Sequence, residues 1–211
     1  AHIPAGPVQI EGVLTLPSPA RGVVLFAHGS GSSRRSPRNR LVAQTIRDKG
    51  MGTLLFDLLT PEETLEDEIT GALRFDVHML ALRLEGVTRW LLSQRGWKDM
   101  KIGFFGASTG VAAALLAAAR LGDRISAVVS RGGRPDLALA WLPHVQAPTL
   151  LIVGGRDEEV LELNHQALRL LKGPKRLEVV PGATHLFEEP GTLDSVAALA
   201  SEWFEQHLVH G

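Results

Sequence analysis

KIGFFGASTGVAAALLAAA, residues 101–119, runs an apolar stretch into a glycine, places one serine two residues later and continues as an alanine-rich segment. The apolar run reads as a strand and the alanine-rich stretch as a helix. Between them, Gly106, Ser108 and Gly110 satisfy the pattern G-x-S-x-G. A serine at so sharp a strand-to-helix turn is held in a strained backbone conformation, with its hydroxyl exposed above the sheet. Small neighbours let the turn close. The helix that follows points its first N–H groups at the same spot, and the Thr109 N–H is placed to donate to a developing oxyanion. The alternative is a phosphate-binding glycine turn. No GK[ST] follows and GFFGAS does not satisfy G-x-G-x-x-G, which argues against a nucleotide loop.

Outward from this stretch the chain alternates strands with helices. GVVLFAHG, GTLLFD, ISAVVS, TLLIVGG and RLEVVPG are short apolar runs ending in polar residues or glycine. Continuous runs of this kind suit strands buried on both faces of a parallel sheet. VQIEGVLTLP alternates and ends at Pro17, as an edge strand or hairpin would. Val77, Leu80, Leu84, Val87 and Leu91 recur at helical spacing and predict an amphipathic helix over 75–94; 158–171 and 193–208 read as further helices. The alternation implies an open, doubly wound α/β sheet in one domain over 1–211. Functional residues of such sheets gather at the carboxyl ends of the strands.

A serine needs a base. His185 in PGATHLFEEPG follows the last expected strand, and Asp157 in IVGGRDEEV follows the one before it. Asp157 would fix the histidine tautomer; the competing reading makes it a helix N-cap, with Glu158, Glu159 or Asp57 as rival acids. LFAHGSGSS supplies a second oxyanion donor, the Ser30 N–H, on a loop where Gly29 and Gly31 permit close approach. His28 reads as a residue holding that loop, and His28, Gly29 and Arg131 are the candidate substrate contacts. Ser130 also follows a strand but lacks the flanking turn.

The bulk properties narrow the partners. The chain has 211 residues, 22 Lys plus Arg, 23 Asp plus Glu and no cysteine. Near-neutral charge gives no reason to expect nucleic acid or an anionic membrane. Without cysteine, disulfides and thiolate catalysis are excluded. AHIPAGPVQ has neither a charged nor an apolar leader region, and no run is long enough for a membrane span, so a cytoplasmic protein is expected. SSRRSPRNR reads as a solvated loop or an anion-binding rim. Arg131 and Arg134 follow a strand near the same face as Arg34 and Arg35. Converging, these arginines would hold a carboxylate or phosphate; the alternative is solvation.

HGSGSSRRSPRN, LLFDLLT, FGASTG, VVSRGGRPD, APTLLIVGGRD and VVPGATHLFEEPG together resemble the α/β-hydrolase superfamily, and more narrowly bacterial dienelactone hydrolase-like proteins, from about Val23 to the end. The order Ser, Asp, His is that of α/β-hydrolases. The resemblance implies Ser108 as nucleophile, Asp157 as acid, His185 as base, and Ser30 and Thr109 as oxyanion donors, with no metal or cofactor. It departs at one point: true dienelactone hydrolases use a cysteine, so a serine esterase is expected and the dienelactone substrate is not carried over. The stretch RGGRPDLALAWLPHVQAP is too short for a cap domain, and the acidic segment 60–75 reads as solvated surface. An open, shallow site for small or short-acyl esters follows, in a monomer or homodimer. Activity should fall as pH drops through about 6.5, the ordinary histidine value. The rivals are a thioesterase, amidase or peptidase on the same triad, and a non-catalytic binding protein.

Overall fold

The computed structural model describes residues 2–210, so both ends of the expected domain lie outside the described residues. Eight strands form one sheet. In chain order they are β1 (His2–Ala5), β2 (Val8–Thr15), β3 (Val23–Ala27), β4 (Gly52–Phe56), β5 (Ile102–Ala107), β6 (Ile125–Arg131), β7 (Thr149–Gly154) and β8 (Lys175–Val180). Their spatial order is β1-β2-β4-β3-β5-β6-β7-β8. The first two strands form an antiparallel hairpin, β2 runs antiparallel to β4, and the remaining neighbours are parallel. Of the two readings of VQIEGVLTLP, the hairpin is the one found, with β1 as the edge.

The central strands VVLFA, IGFFGA and TLLIVG are buried along their whole length, as continuous apolar runs require. β8 differs: Lys175, Arg176 and Val179 are exposed, because it closes the opposite edge of the sheet.

Helices cover both faces. The helices are α1 (Pro37–Asp48), α2 (Pro61–Thr70), α3 (Val77–Ser93), α4 (Gly110–Leu121), α5 (Glu158–Leu170) and α6 (Thr192–Phe204), the last continuing as a π-helical turn to Val209. One core holds Leu25, Leu54, Phe104 and Leu151 under α3 and α4; the other holds Phe26, Phe105, Val129 and Ile152 under α1 and α6. Alanine has the highest helix propensity, and the small side chains of α4 leave every residue from Gly110 to Ala118 buried. The stretch between β6 and β7 is a kinked 3-10 segment, Pro135–His144, packed on α4 and α5, so no cap domain covers the sheet. No helix among the described residues is long and apolar enough to cross a membrane.

Two segments differ from the sequence reading. SSRRSPRNR is not a loop throughout: α1 starts within it, with Ser36 as N-cap accepting from the Asn39 N–H at 3.3 Å and Pro37 at the first helical position. The acidic segment 60–75 is largely exposed, as a solvated surface should be, but it is folded as a helix and a following turn. Thr60 and Glu63 form a reciprocal capping box for α2 (3.2 and 2.9 Å). Glu63 also pairs with Arg83 at 2.5 Å and Asp67 with Arg74 at 2.7 Å, which fixes α2 against α3 and the turn before it.

The β5–α4 turn is the tightest point of the fold. A Cβ on Gly110 would stand 2.3 Å from the Ala27 carbonyl oxygen and 2.4 Å from that of His28. Both are backbone atoms held in or beside the central strand β3, so neither can step aside. Gly110→Ala should therefore cost about 3 kcal/mol or more, lowering Tm by roughly 10 °C. Thermal unfolding of the variant measures this.

Candidate active site

The sheet brings the three expected residues to its carboxyl edge. Ser108 lies just past β5 with φ of 49°, one of two non-glycine residues with positive φ among those described. That left-handed conformation costs free energy and persists only where the surroundings impose it. They do so here: Ser108 N–H donates to the Arg131 carbonyl at 3.1 Å, and the Ser108 carbonyl accepts from Arg134 N–H at 3.1 Å and Val111 N–H at 3.3 Å. The small flank at Gly106 is required as well, since a Cβ there would lie 2.5 Å from Val111 Cα.

His185 stands on the loop after β8, with Nε2 3.4 Å from Ser108 Oγ and Nδ1 2.6 Å from Asp157 Oδ2. Asp157 occupies the N-cap position of α5, yet its side chain makes no capping hydrogen bond. The carboxylate is committed to the histidine, and the capping reading does not hold. The loops bearing Asp157 and His185 are stitched together: Gly155 N–H donates to Val180 O and Arg156 N–H to Ala183 O, both at 2.9 Å. Glu189, not anticipated from sequence, fastens the other side. Its carboxylate accepts from Thr184 Oγ1 (2.7 Å) and Thr184 N–H (3.1 Å), and these bonds hold its pKa below the usual carboxylate value.

The rival residues stand apart from the histidine. Asp57 accepts from the backbone N–H of Arg34 and forms an ion pair with its guanidinium, which also reaches Glu11. Ser130 is fully buried.

Ser30 and Thr109 meet as expected, in an unexpected arrangement. Ser30 N–H donates to Thr109 Oγ1 at 2.9 Å, and the two hydroxyls are 2.8 Å apart. The Thr109 N–H has no acceptor among the described residues. The Thr109 N–H is therefore free and the Ser30 N–H is held by the neighbouring side chain.

His28 borders the site but both ring nitrogens are in use. Nδ1 donates to the Gly29 carbonyl at 2.9 Å and Nε2 accepts from Leu58 N–H at 3.0 Å. As a substrate contact it offers only its ring surface; its work is to tie the loops after β3 and β4. Burial lowers its pKa. In the acid range the unfolded chain thus binds a proton that the folded protein resists, so stability is full above the unfolded value of about 6.5 and is lost as pH falls below it. His207, also lowered by burial, adds with the same sign. Urea midpoints should fall between pH 7.5 and 5.5, and His28→Gln should flatten that slope.

Gly29 sits close to the serine: a Cβ there would be 3.0 Å from Ser108 Cβ. Beside these residues lies a cleft of about 820 Å³ whose lining includes Ser30, Thr109, Arg35, Leu59, Leu65 and Leu80. Ser108 and His185 are outside that lining, so the cleft adjoins the Ser108–His185–Asp157 row on the side of Ser30 and Thr109. α2 forms one wall of the cleft.

Comparison with known proteins places the chain in a family. Residues 10–208 match the model of the dienelactone hydrolase family. The chain belongs to that family. A dienelactone hydrolase from Anabaena variabilis shares 56% identity, with a TM-score of 0.96 over 98% of this chain and 96% of that one. Est1E from Butyrivibrio proteoclasticus, solved with ferulic acid, has a TM-score of 0.83 at 16% identity over 99% of both chains, a likeness of fold alone. Two Mycobacterium tuberculosis proteins named "Putative phosphoribosyl transferase" are 58% identical over 207 residues, 98% of this chain. The chain spans 46% of the length of each of those relatives. As a family member this chain has the α/β-hydrolase fold.

Proposed function

We propose that this family member is a serine hydrolase that cleaves small carboxylic esters through an acyl-enzyme on Ser108. The observation that carries the proposal is the unbroken row from Ser108 Oγ through the His185 ring to Asp157 (3.4 and 2.6 Å), with Ser108 at positive φ. His185 Nε2 takes the serine proton as Oγ attacks the ester carbonyl, then returns it to the leaving alcohol. The 3.4 Å separation shortens as substrate closes the geometry. Asp157 holds Nδ1–H and stabilises the imidazolium. The oxyanion is met by Thr109 N–H, and by Ser30 N–H once it exchanges Thr109 Oγ1 for the substrate oxygen. Water activated by His185 releases the acyl group.

The cleft supports a small substrate. Its walls mix the Arg34–Asp57 and Arg74–Asp67 pairs with Leu59, Leu65 and Leu80, so a long acyl chain would have to lie against charges as well as apolar surface. The transferase name belongs to relatives of which this chain matches less than half. We assign the hydrolase chemistry to the matching part. Rates on aryl esters of increasing acyl length, with matched thioesters and anilides, test this. Highest kcat/KM on short-chain esters is expected; a maximum on long chains, thioesters or anilides would overturn it.

A further inference from the structure

The buried positions of α5 are Val160, Asn164 and Ala167. Two of the three are apolar. Asn164 is not, yet it is fully buried. Its Nδ2 donates to the Val160 carbonyl of its own helix at 2.8 Å and to the Gly133 carbonyl at 3.0 Å. Its Oδ1 is enclosed without a hydrogen-bond partner. An amide buried with its oxygen unmet serves stability less well than an apolar side chain of similar size. The Val160 bond stays within α5, so only the bond to Gly133 reaches another part of the chain.

Gly133 lies inside the link 131–134, and that link clamps the nucleophile turn. Ser108 N–H donates to the Arg131 carbonyl at one end, and Arg134 N–H donates to the Ser108 carbonyl at the other, each at 3.1 Å. Between these ends stand two glycines. Gly132 has φ of 51°. Gly133 admits no side chain, since a Cβ would lie 2.6 Å from Val111 Cγ1 and closer still to Ser130 Oγ. Two successive glycines leave the backbone unusually free, so the shape of the clamp has to be fixed from outside. Gly132 N–H donates to the Ile152 carbonyl at 2.8 Å, and Arg134 is steadied by two bonds to Asp136 at 2.8 Å each. Asn164 holds the middle, at Gly133. Its own position is set by α5, which opens at Asp157, about two helical turns earlier. One amide therefore ties the helix that carries the acid to the clamp that holds Ser108 at positive φ.

We propose that Asn164 is a positioning residue: through the 131–134 link it sets where Ser108 Oγ stands relative to His185. It touches neither the substrate nor the reacting atoms. The proposal rests on the hydrolase reading of Ser108. Misplacement of a reacting group by about 1 Å costs on the order of a hundredfold in rate, so a single remote hydrogen bond has this much leverage.

Two variants test it on a short-chain aryl ester. Asn164→Leu fills much the same space without the donor, and Asn164→Ala removes the donor by truncation alone. Each should lower kcat by about ten- to hundredfold and leave KM within about twofold. The midpoint of the kcat/KM pH profile should stay at its wild-type value, because the bond between His185 Nδ1 and Asp157 Oδ2 is untouched. Titration of active sites with a fluorophosphonate separates positioning from folding. A displaced Ser108 still takes one label in every folded molecule, at a rate reduced in parallel with kcat. A merely structural role leaves fewer sites that label, each with wild-type turnover. Wild-type kcat per titrated site in both variants overturns the proposal, as does a rise in KM at unchanged kcat, or failure of both variants to fold. A wild-type protein that neither takes the label nor hydrolyses esters would instead sink the hydrolase reading of Ser108, and the role of Asn164 with it.

Discussion

Ser108→Ala should lower kcat on a short-chain aryl ester by about 10⁶-fold, with little change in the unfolding temperature. The size of the loss follows from the role. Alanine removes the only atom that forms the acyl-enzyme, and His185 then has no proton to accept. The turn should survive, because its geometry is imposed by neighbours and not by the hydroxyl. Ser108 N–H and carbonyl are bonded to Arg131, Arg134 and Val111, and the close approaches at Gly106 and Gly110 remain. The oxyanion donors are backbone groups and also remain, leaving a residual rate roughly 10³–10⁴ above that in water. A loss below about tenfold would mean that Ser108 is not the nucleophile.

Asp157→Asn is expected to reduce kcat by about 10⁴-fold. Asp157 Oδ2 is 2.6 Å from His185 Nδ1, which keeps the proton on Nδ1 and the lone pair on Nε2, facing Ser108. An asparagine amide can turn its NH₂ to the ring and favour the opposite tautomer, in which Nε2 carries the proton and cannot act as base. It also withdraws the negative charge that stabilises the imidazolium. Glu158 and Glu159 are the control positions. They lie in the first turn of α5, where negative charge suits the helix N-terminus, and neither bonds to His185. Glu158→Gln and Glu159→Gln should each stay within about twofold of wild type, since no bond to the base is lost. Steady-state rates of the three variants separate the acid from its neighbours.

The sheet and the site were legible in the sequence to different depths. Buried strands such as VVLFA and TLLIVG announce themselves because both faces are apolar. The Ser108 turn does so because its flanking glycines are demanded by contacts within 2.5 Å of Val111, Ala27 and His28. The start of α1 and the whole of α2 were less visible, since each begins in a run of charged residues. Their signals were present all the same: Ser36-Pro37 is an N-cap followed by the favoured first residue, and Thr60 with Glu63 is a capping box. Leu65 and Ile69, 63% and 87% exposed, give α2 little of the apolar stripe that reveals a packed helix. What the sequence could not reveal is pairing between distant residues. Arg34 and Arg131 look alike as exposed cations in a string of letters. Only the fold shows that Arg34 is met by Glu11 and Asp57 while Arg131 is enclosed without a partner.

The central claim is that Ser108 is an activated nucleophile, and intact mass after incubation with a fluorophosphonate tests it most directly. One adduct on the wild-type protein, mapped to the peptide containing Ser108 and absent from Ser108→Ala, is the predicted result. No adduct on folded wild type, or an adduct that persists in Ser108→Ala, would contradict it.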